Sequence, residues 1–177
     1  MHKDIEKVLI SEEEIVEKCK ELGAQITKDY EGKNPYVVGL LKGSVPFMAE
    51  IVKYIDLDIE VDYMSVSSYS GTESNGDVRI VKDLDCSIVG YDVIIIEDIV
   101  DTGKTLNKVK DMMYAKGADS VKICSLLNKQ ERRLIDINAD YVGFEVPNEF
   151  VVGFGLDFNQ KYRNLPYVGV LKEECYL

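Results

Sequence analysis

An α/β protein with a central parallel sheet flanked by helices is what this sequence predicts, and three observations predict it. VIII at 93–96 is an unbroken β-branched run, as in a strand buried on both faces of a parallel sheet. Glu97 and Asp98 follow, then the polar turn from Asp101 to Thr105 with its one glycine, then an amphipathic segment from Leu106. Elsewhere short apolar runs alternate with stretches of helical period, the order expected of βα units around a parallel sheet. Strand, acidic pair, glycine turn and helix start form the layout in which open α/β sheets bind ligands. The length of 177 residues, without repeats, linkers or low-complexity tracts, predicts a single domain over 1–177.

Each element has its own local reason. Residues 1–10 read as a short lead-in strand. Ser11 and Glu14 form a capping box, and Ile15, Cys19, Leu22 and Ile26 recur at helical spacing, which predicts a helix over about 12–30. Gly32 and Pro35 break it. Residues 36–41 read as a buried strand. Lys42, Gly43 and Ser44 make a turn, and Pro46 suits the first turn of a second helix running to about 54. Residues 60–67 alternate as a strand. SYSGTESNGD at 68–77 is polar with two glycines and predicts a mobile loop, with 78–82 as the returning arm of a long hairpin. The central strand spans 91–96. Leu106, Val109 and Met113 give the next helix its apolar face, and Gly117 fits its C-terminal cap. Residues 121–127, 141–145, 151–154 and 167–171 are further strands.

Composition excludes several classes of function. A net charge of -11 disfavours long-range attraction to nucleic acid or to an anionic membrane. The first residues, MHKDIEKVLISEEE, are too charged for a signal peptide, and no apolar run approaches a membrane span. Cys19, Cys86, Cys124 and Cys175 form no CxxC pair, so reduced thiols in the cytoplasm are expected rather than a zinc or redox site. His2, near the terminus, is the only histidine. Acid–base work therefore falls to carboxylates, lysine or tyrosine.

The central stretch VIIIEDIVDTGKT suits an anion. Gly103-Lys104-Thr105 resembles the end of a P-loop, but that motif needs a glycine where Asp98 stands. What remains is a turn offering backbone N–H groups at a helix start, plus the Thr102 and Thr105 hydroxyls, a cradle for one phosphate monoester. Two acids beside it would repel the phosphate unless they hold Mg²⁺ or accept hydrogen bonds from sugar hydroxyls. Phosphate in the turn and hydroxyls on the acids describe a ribose 5-phosphate. The plain alternative is a buried strand ending in solvated acids before an ordinary helix cap.

VIIIEDIVDTGKT resembles the phosphoribosyl diphosphate signature of the type I phosphoribosyltransferases. With LKGS at 41–44, SSY at 67–69 and FVVGFGLDFNQKYRNLPYVGVL at 150–171, almost the whole chain resembles the hypoxanthine-guanine branch of that family. The resemblance implies the type I phosphoribosyltransferase fold, with a flexible hairpin loop and a small hood built from about 1–10 and 145–177. It implies purine salvage: Mg²⁺-dependent transfer of the phosphoribosyl group from phosphoribosyl diphosphate to a 6-oxopurine, hypoxanthine or guanine, giving IMP or GMP and pyrophosphate. Homodimers or homotetramers are the usual assemblies.

Residue by residue, the resemblance assigns the ribose hydroxyls, directly or through Mg²⁺, to Glu97 and Asp98. It makes Asp101 the general base near purine N7. Asp101, Thr102, Gly103, Lys104 and Thr105 would hold the 5′-phosphate. Lys42 and Gly43 belong to a pyrophosphate loop with an expected cis bond between Leu41 and Lys42, although LKGS alone reads equally as a strand-to-helix turn with Ser44 as N-cap. Arg163 would contact pyrophosphate. Lys129 would donate to the 6-oxygen, Phe150 stack on the base, Val151 offer backbone contacts, and Asp157 bind a second Mg²⁺. Taken alone, Lys129 reads as surface and Phe150 as core. Ser68 and Tyr69 match the tip of the loop that closes over the reaction and excludes water. Ser67 and Glu149 stand where family members carry lysine, which leaves the choice among hypoxanthine, guanine and xanthine open. Two rivals are a phosphoribosyltransferase for another base and a non-catalytic nucleotide-sensing regulator that binds nucleic acid; the acidic charge speaks against the second.

Overall fold

The computed structural model describes residues 1–68 and 78–177. Strand β1 (Ile5–Ile10) leads into helix α1 (Glu12–Asp29). Ser11 Oγ accepts from the Glu14 N–H and the Glu14 carboxylate accepts from the Ser11 N–H, so the capping box is present. The buried stripe of α1 is Ile15, Cys19, Leu22, Gly23 and Ile26. Strand β2 (Pro35–Leu40) is buried at every position. Helix α2 (Val45–Ile51) ends earlier than expected, because the chain tightens into a 3₁₀ turn over Val52–Tyr54. Ser44 precedes α2, yet its buried hydroxyl makes no cap bond.

Strands β3 (Glu60–Ser68) and β4 (Val78–Lys82) pair antiparallel as the two arms of the expected hairpin. Then come β5 (Asp92–Val100), α3 (Lys104–Ala115), β6 (Ser120–Asn128), β7 (Tyr141–Glu145), β8 (Val151–Val152) and β9 (Val168–Leu171). Helix α3 ends in a Schellman motif, with Gly117 N–H donating to Tyr114 O and Ala118 N–H to Met113 O. Strand β8 stops short of residue 154 because Gly153 and Phe154 take positive φ of 100° and 45°. The larger correction concerns β5. The expected strand ended before the acidic pair, but β5 runs through it to Val100. Pairing with β2 stops at Gly39↔Ile96, whereas pairing with β6 continues through Glu97↔Ser125 to Val100↔Asn128. The acids therefore sit on a strand with one edge open.

The main sheet has the order β4-β3-β2-β5-β6-β7, parallel throughout except for the β4 edge. Helices α1 and α2 pack on one face with Val37, Ile94, Ile96 and Cys124; α3 packs on the other with Tyr36, Val38, Val93, Ile95 and Ile123. That division explains the unbroken 93–96 run, since alternate residues feed opposite cores. Ile95→Ala should accordingly cost about 2–5 kcal/mol of unfolding free energy, read as a lowered denaturant midpoint; a loss below 1 kcal/mol would contradict this packing. The termini meet in a second, antiparallel sheet of order β1-β9-β8 around Ile5, Val152 and Leu171, the small hood that the resemblance implies. Among the described residues no helix is long and apolar enough to cross a membrane.

Candidate active site

The open edge of β5 begins where β2 stops pairing. Glu97 and Asp98 lie there side by side, with Glu97 Oε1 accepting from the Asp98 N–H at 3.1 Å and Asp98 Oδ1 from the Ile99 N–H at 2.8 Å. Burial, then the neighbouring Asp98 charge, pushes the Glu97 carboxyl well above its ordinary pKa. Burial also raises Asp98; its hydrogen bonds to Glu97 and to the Ile99 N–H, and the Arg163 charge, oppose this. Two like charges without a neutralising cation between them make a site that favours a proton, a metal ion or donor hydroxyls.

Backbone closeness locks this pair to the LKGS turn. A Cβ on Gly43 would fall 1.8 Å from Asp98 Oδ2, and a Cβ on Gly155 would fall 1.9 Å from Gly43 O. Only glycine permits both approaches, so the acidic pair, the LKGS turn and the C-terminal block touch through bare backbone. The peptide bond between Leu41 and Lys42 is cis, as the resemblance implies. Lys42 Nζ donates to Gln160 Oε1 at 3.3 Å, and Arg163 Nη2 donates to the same oxygen at 3.3 Å. Arg163 also pairs with Asp157 at 3.0 Å and donates from Nη1 to Gly155 O at 2.7 Å. Lys42, Gly43, Asp157 and Arg163 thus share one corner, with Gln160 as a linker that the sequence reading missed.

Two cavities open beside β5. One, of about 180 Å³, is lined by Glu97, Ile99, Val100, Asp101, Thr102, Gly103, Thr105 and Leu106. Gly103 caps α3 at φ 83°, a left-handed position suited to glycine, and the N–H groups of Gly103, Lys104, Thr105 and Leu106 have no intrahelical acceptor. Lys104 is exposed at the helix start. The other cavity, of about 150 Å³, is lined by Ile99, Asp101, Lys129, Arg132, Phe150, Val151, Leu156 and Asp157. Asp101, Lys129, Phe150, Val151 and Asp157, drawn from four separate segments, converge there. Ile99 and Asp101 line both cavities.

Within the second cavity Lys129 Nζ donates to Glu149 O at 2.9 Å, and burial lowers the lysine pKa while Asp101 opposes that. Glu149 is held in turn by Lys7 of β1 at 2.7 Å. Phe150 stacks on Tyr176 with ring centroids 4.7 Å apart, and meets Phe158 edge-on at 5.5 Å. Tyr176 packs with the hood cluster and does not line the cavity, so it backs the ring from behind. Arg132 Nε lies 3.1 Å from Asp101 Oδ1, an ion pair without hydrogen-bond alignment. Arg132 and Tyr176 were not legible beforehand; one of two adjacent arginines and a single tyrosine after the last strand carry no periodic signal.

Two expectations stand apart. Among the described residues no group of three or more His, Cys, Asp or Glu side chains is arranged to hold a metal, so Asp157 does not join Glu97 and Asp98 in one cluster. Tyr69 lies outside the described residues, as does the side chain of Ser68.

Sheet order, cis turn and paired cavities define a class of protein, and the comparisons agree with it. The sequence model of the phosphoribosyl transferase domain matches residues 9–159, and the chain belongs to that family. A hypoxanthine-guanine phosphoribosyltransferase of Streptococcus thermophilus (strain CNRZ 1066) is 62% identical over 177 residues, covering 99% of this chain and 98% of that protein. A crystal structure of a hypoxanthine phosphoribosyltransferase from Staphylococcus aureus superposes with a TM-score of 0.96 at 53% identity, over 100% of this chain and 97% of that one. The hypoxanthine phosphoribosyltransferase of Trypanosoma cruzi, in complex with the product IMP, gives 0.94 at 38% identity over 99% of each chain.

Proposed function

We propose that this enzyme serves purine salvage, transferring the 5-phosphoribosyl group from phosphoribosyl diphosphate to hypoxanthine or guanine and releasing pyrophosphate with IMP or GMP. The observation that carries the reading is the position of Asp101, the one carboxylate lining both cavities. In this reading the turn at Asp101, Thr102, Gly103, Lys104 and Thr105 holds the 5′-phosphate, and Glu97 and Asp98 face the ribose hydroxyls. Phe150 stacks on the purine, Val151 offers backbone groups to its edge, and Lys129 leaves the Glu149 carbonyl to donate to the 6-oxygen. As the bond from purine N9 to ribose C1 forms and the bond from C1 to pyrophosphate breaks, Asp101 takes the N7 proton.

Lys42, Gly43 and Arg163 receive the departing pyrophosphate, Arg163 with its planar fork. The half-buried, adjacent Glu97 and Asp98, whose carboxyls both titrate upward of normal, fit a divalent cation, with Asp157 on the pyrophosphate side for a second one. Mg²⁺ bound there would neutralise pyrophosphate oxygens, a role that one or two carboxylates plus substrate phosphates satisfy. Ser68 and Tyr69 are assigned to the loop that excludes water from the reaction. Residues 1–177 act as one domain with the hood over the base. Four free cysteines support a reducing, cytoplasmic setting, and a homodimer or homotetramer is the expected assembly.

Competition between hypoxanthine, guanine, xanthine, adenine and uracil for limiting enzyme tests the base class; preferential use of adenine or uracil would overturn it. A second expected result concerns the cradle. Thr105→Ala should raise the Kd for the nucleoside monophosphate about tenfold, the worth of one hydrogen bond to a charged group. An unchanged Kd in titration calorimetry would remove Thr105 from the phosphate site.

A further inference from the structure

A turn that aims its N–H groups at an anion must aim its carbonyls the other way, and here the carbonyls of Val100 and Asp101 meet one side chain. Arg133 lies in the loop after β6. Its Nε donates to Asp101 O at 3.0 Å, and its Nη2 reaches Val100 O at 3.5 Å and also Asn128 Oδ1. Its Nη1 donates to Ile137 O. The next residue continues the pattern, with the Leu134 N–H donating to Thr102 O at 3.1 Å. Carbonyls of three successive residues, 100 to 102, are thus gathered by the segment after β6, the Lys129 N–H donating to Val100 O at 3.0 Å beside Arg133.

The stem of Arg133 is engaged as well: its Cδ lies 3.2 Å from where a Cβ on Gly103 would stand, beneath the left-handed residue of the turn. The clamp is anchored at its far end, because Asn128 Nδ2 donates to both carboxylate oxygens of Glu145 on β7, at 2.8 and 3.0 Å. Only a guanidinium offers five donors in one plane, which is what several acceptors around one point require. Arg133 itself lines neither cavity; it reaches the lining residues Val100, Asp101 and Gly103 from outside. Its positive charge lies behind the turn, on the side away from the anion, and adds to the field of the α3 N-terminus.

We infer that Arg133 is a positioning residue for the phosphate-binding turn: by collecting the carbonyls of Val100 and Asp101, it fixes the N–H groups of the turn toward the 5′-phosphate. This rests on the phosphate reading of that turn. The test compares the Kd of inosine with that of IMP by calorimetry, since their ratio isolates the phosphate. Arg133→Met should lower that ratio tenfold or more while the inosine Kd stays within twofold, and Arg133→Lys should fall between. A purely structural role would weaken both ligands alike and leave the ratio unchanged, which would overturn the inference.

Where thermal unfolding shows Arg133→Met to be unfolded, Arg133→Lys and Asn128→Ala, which removes the anchor, are read on the same ratio; no change in either overturns it. Thr105→Ala separates the two levels. A ratio unmoved by Thr105→Ala defeats the phosphate reading itself. A ratio lowered by Thr105→Ala but untouched by the Arg133 variants defeats only the role given to Arg133.

Discussion

Replacing Asp101 with asparagine is expected to lower kcat about a hundredfold or more, the usual worth of a positioned proton acceptor. The KM for phosphoribosyl diphosphate should move less than about threefold, because a lost transition-state contact lowers kcat without removing ground-state binding. The reasoning is geometric. Asp101 is the carboxylate shared by the two cavities, which in the proposed reading hold the sugar phosphate and the base. The sole histidine cannot substitute for it: His2 packs on Tyr162 and Asp4 in the hood, and lines neither cavity. Asparagine keeps the shape and one acceptor oxygen but cannot hold the proton. Arg132 would lose its ion pair, but that pair is half exposed and worth at most about 1 kcal/mol to folding. Steady-state kinetics with both substrates varied decide the matter. A kcat within threefold of the parent would end the general-base assignment, and an equal loss in kcat/KM for both substrates with a lowered melting point would point to damage instead.

Much of the fold around this site was legible in the residues, for definite physical reasons. The 93–96 run could be read because a strand buried on both faces needs apolar side chains at every position. The capping box at Ser11 and the apolar faces of α1 and α3 follow periodicities written locally. What could not be read depends on separation. Strand β1 pairs with β9 across most of the chain, Ile5 with Leu171, and no local pattern announces that register. The extension of β5 past the acidic pair depends on the length of its neighbour β6, not on its own composition. The contacts of Gly43 with Asp98 and of Gly155 with Gly43 O are close approaches in space. Arg133 reaches backbone carbonyls and Gln160 offers one oxygen to two donors, and a side chain that does so leaves no trace in spacing. Residue types and local periods were visible in the sequence; side chains that tie distant segments together were not.

The acidic pair should behave oppositely in stability and in turnover. Glu97→Gln is expected to make the ligand-free protein more stable at pH 7, because glutamine removes a carboxyl whose ionised form the folded state disfavours. The sign follows from the raised carboxyl: the folded state binds its proton more tightly than the unfolded state does. That favourable difference is fully present below the ordinary glutamate pKa and is lost as pH rises through the raised folded value. At pH 7 the parent bears either a charge held in an unfavourable setting beside Asp98 or a proton that its unfolded chain no longer binds, a cost that glutamine does not carry, and its stability should decline upward from about pH 4.5 more steeply than the variant's. Turnover should go the other way, falling about a hundredfold, because glutamine is a weaker partner for a divalent cation and for sugar hydroxyls. Ligands give an independent reading. Phosphoribosyl diphosphate with Mg²⁺ should raise the melting temperature of the parent by mass action and raise that of the variant far less. Urea titrations between pH 4 and 8, with and without both ligands, separate the outcomes: a variant less stable than the parent at pH 7 would mean the Glu97 charge is already compensated within the fold. Equal ligand stabilisation of the two proteins would take Glu97 out of the cation and ribose site.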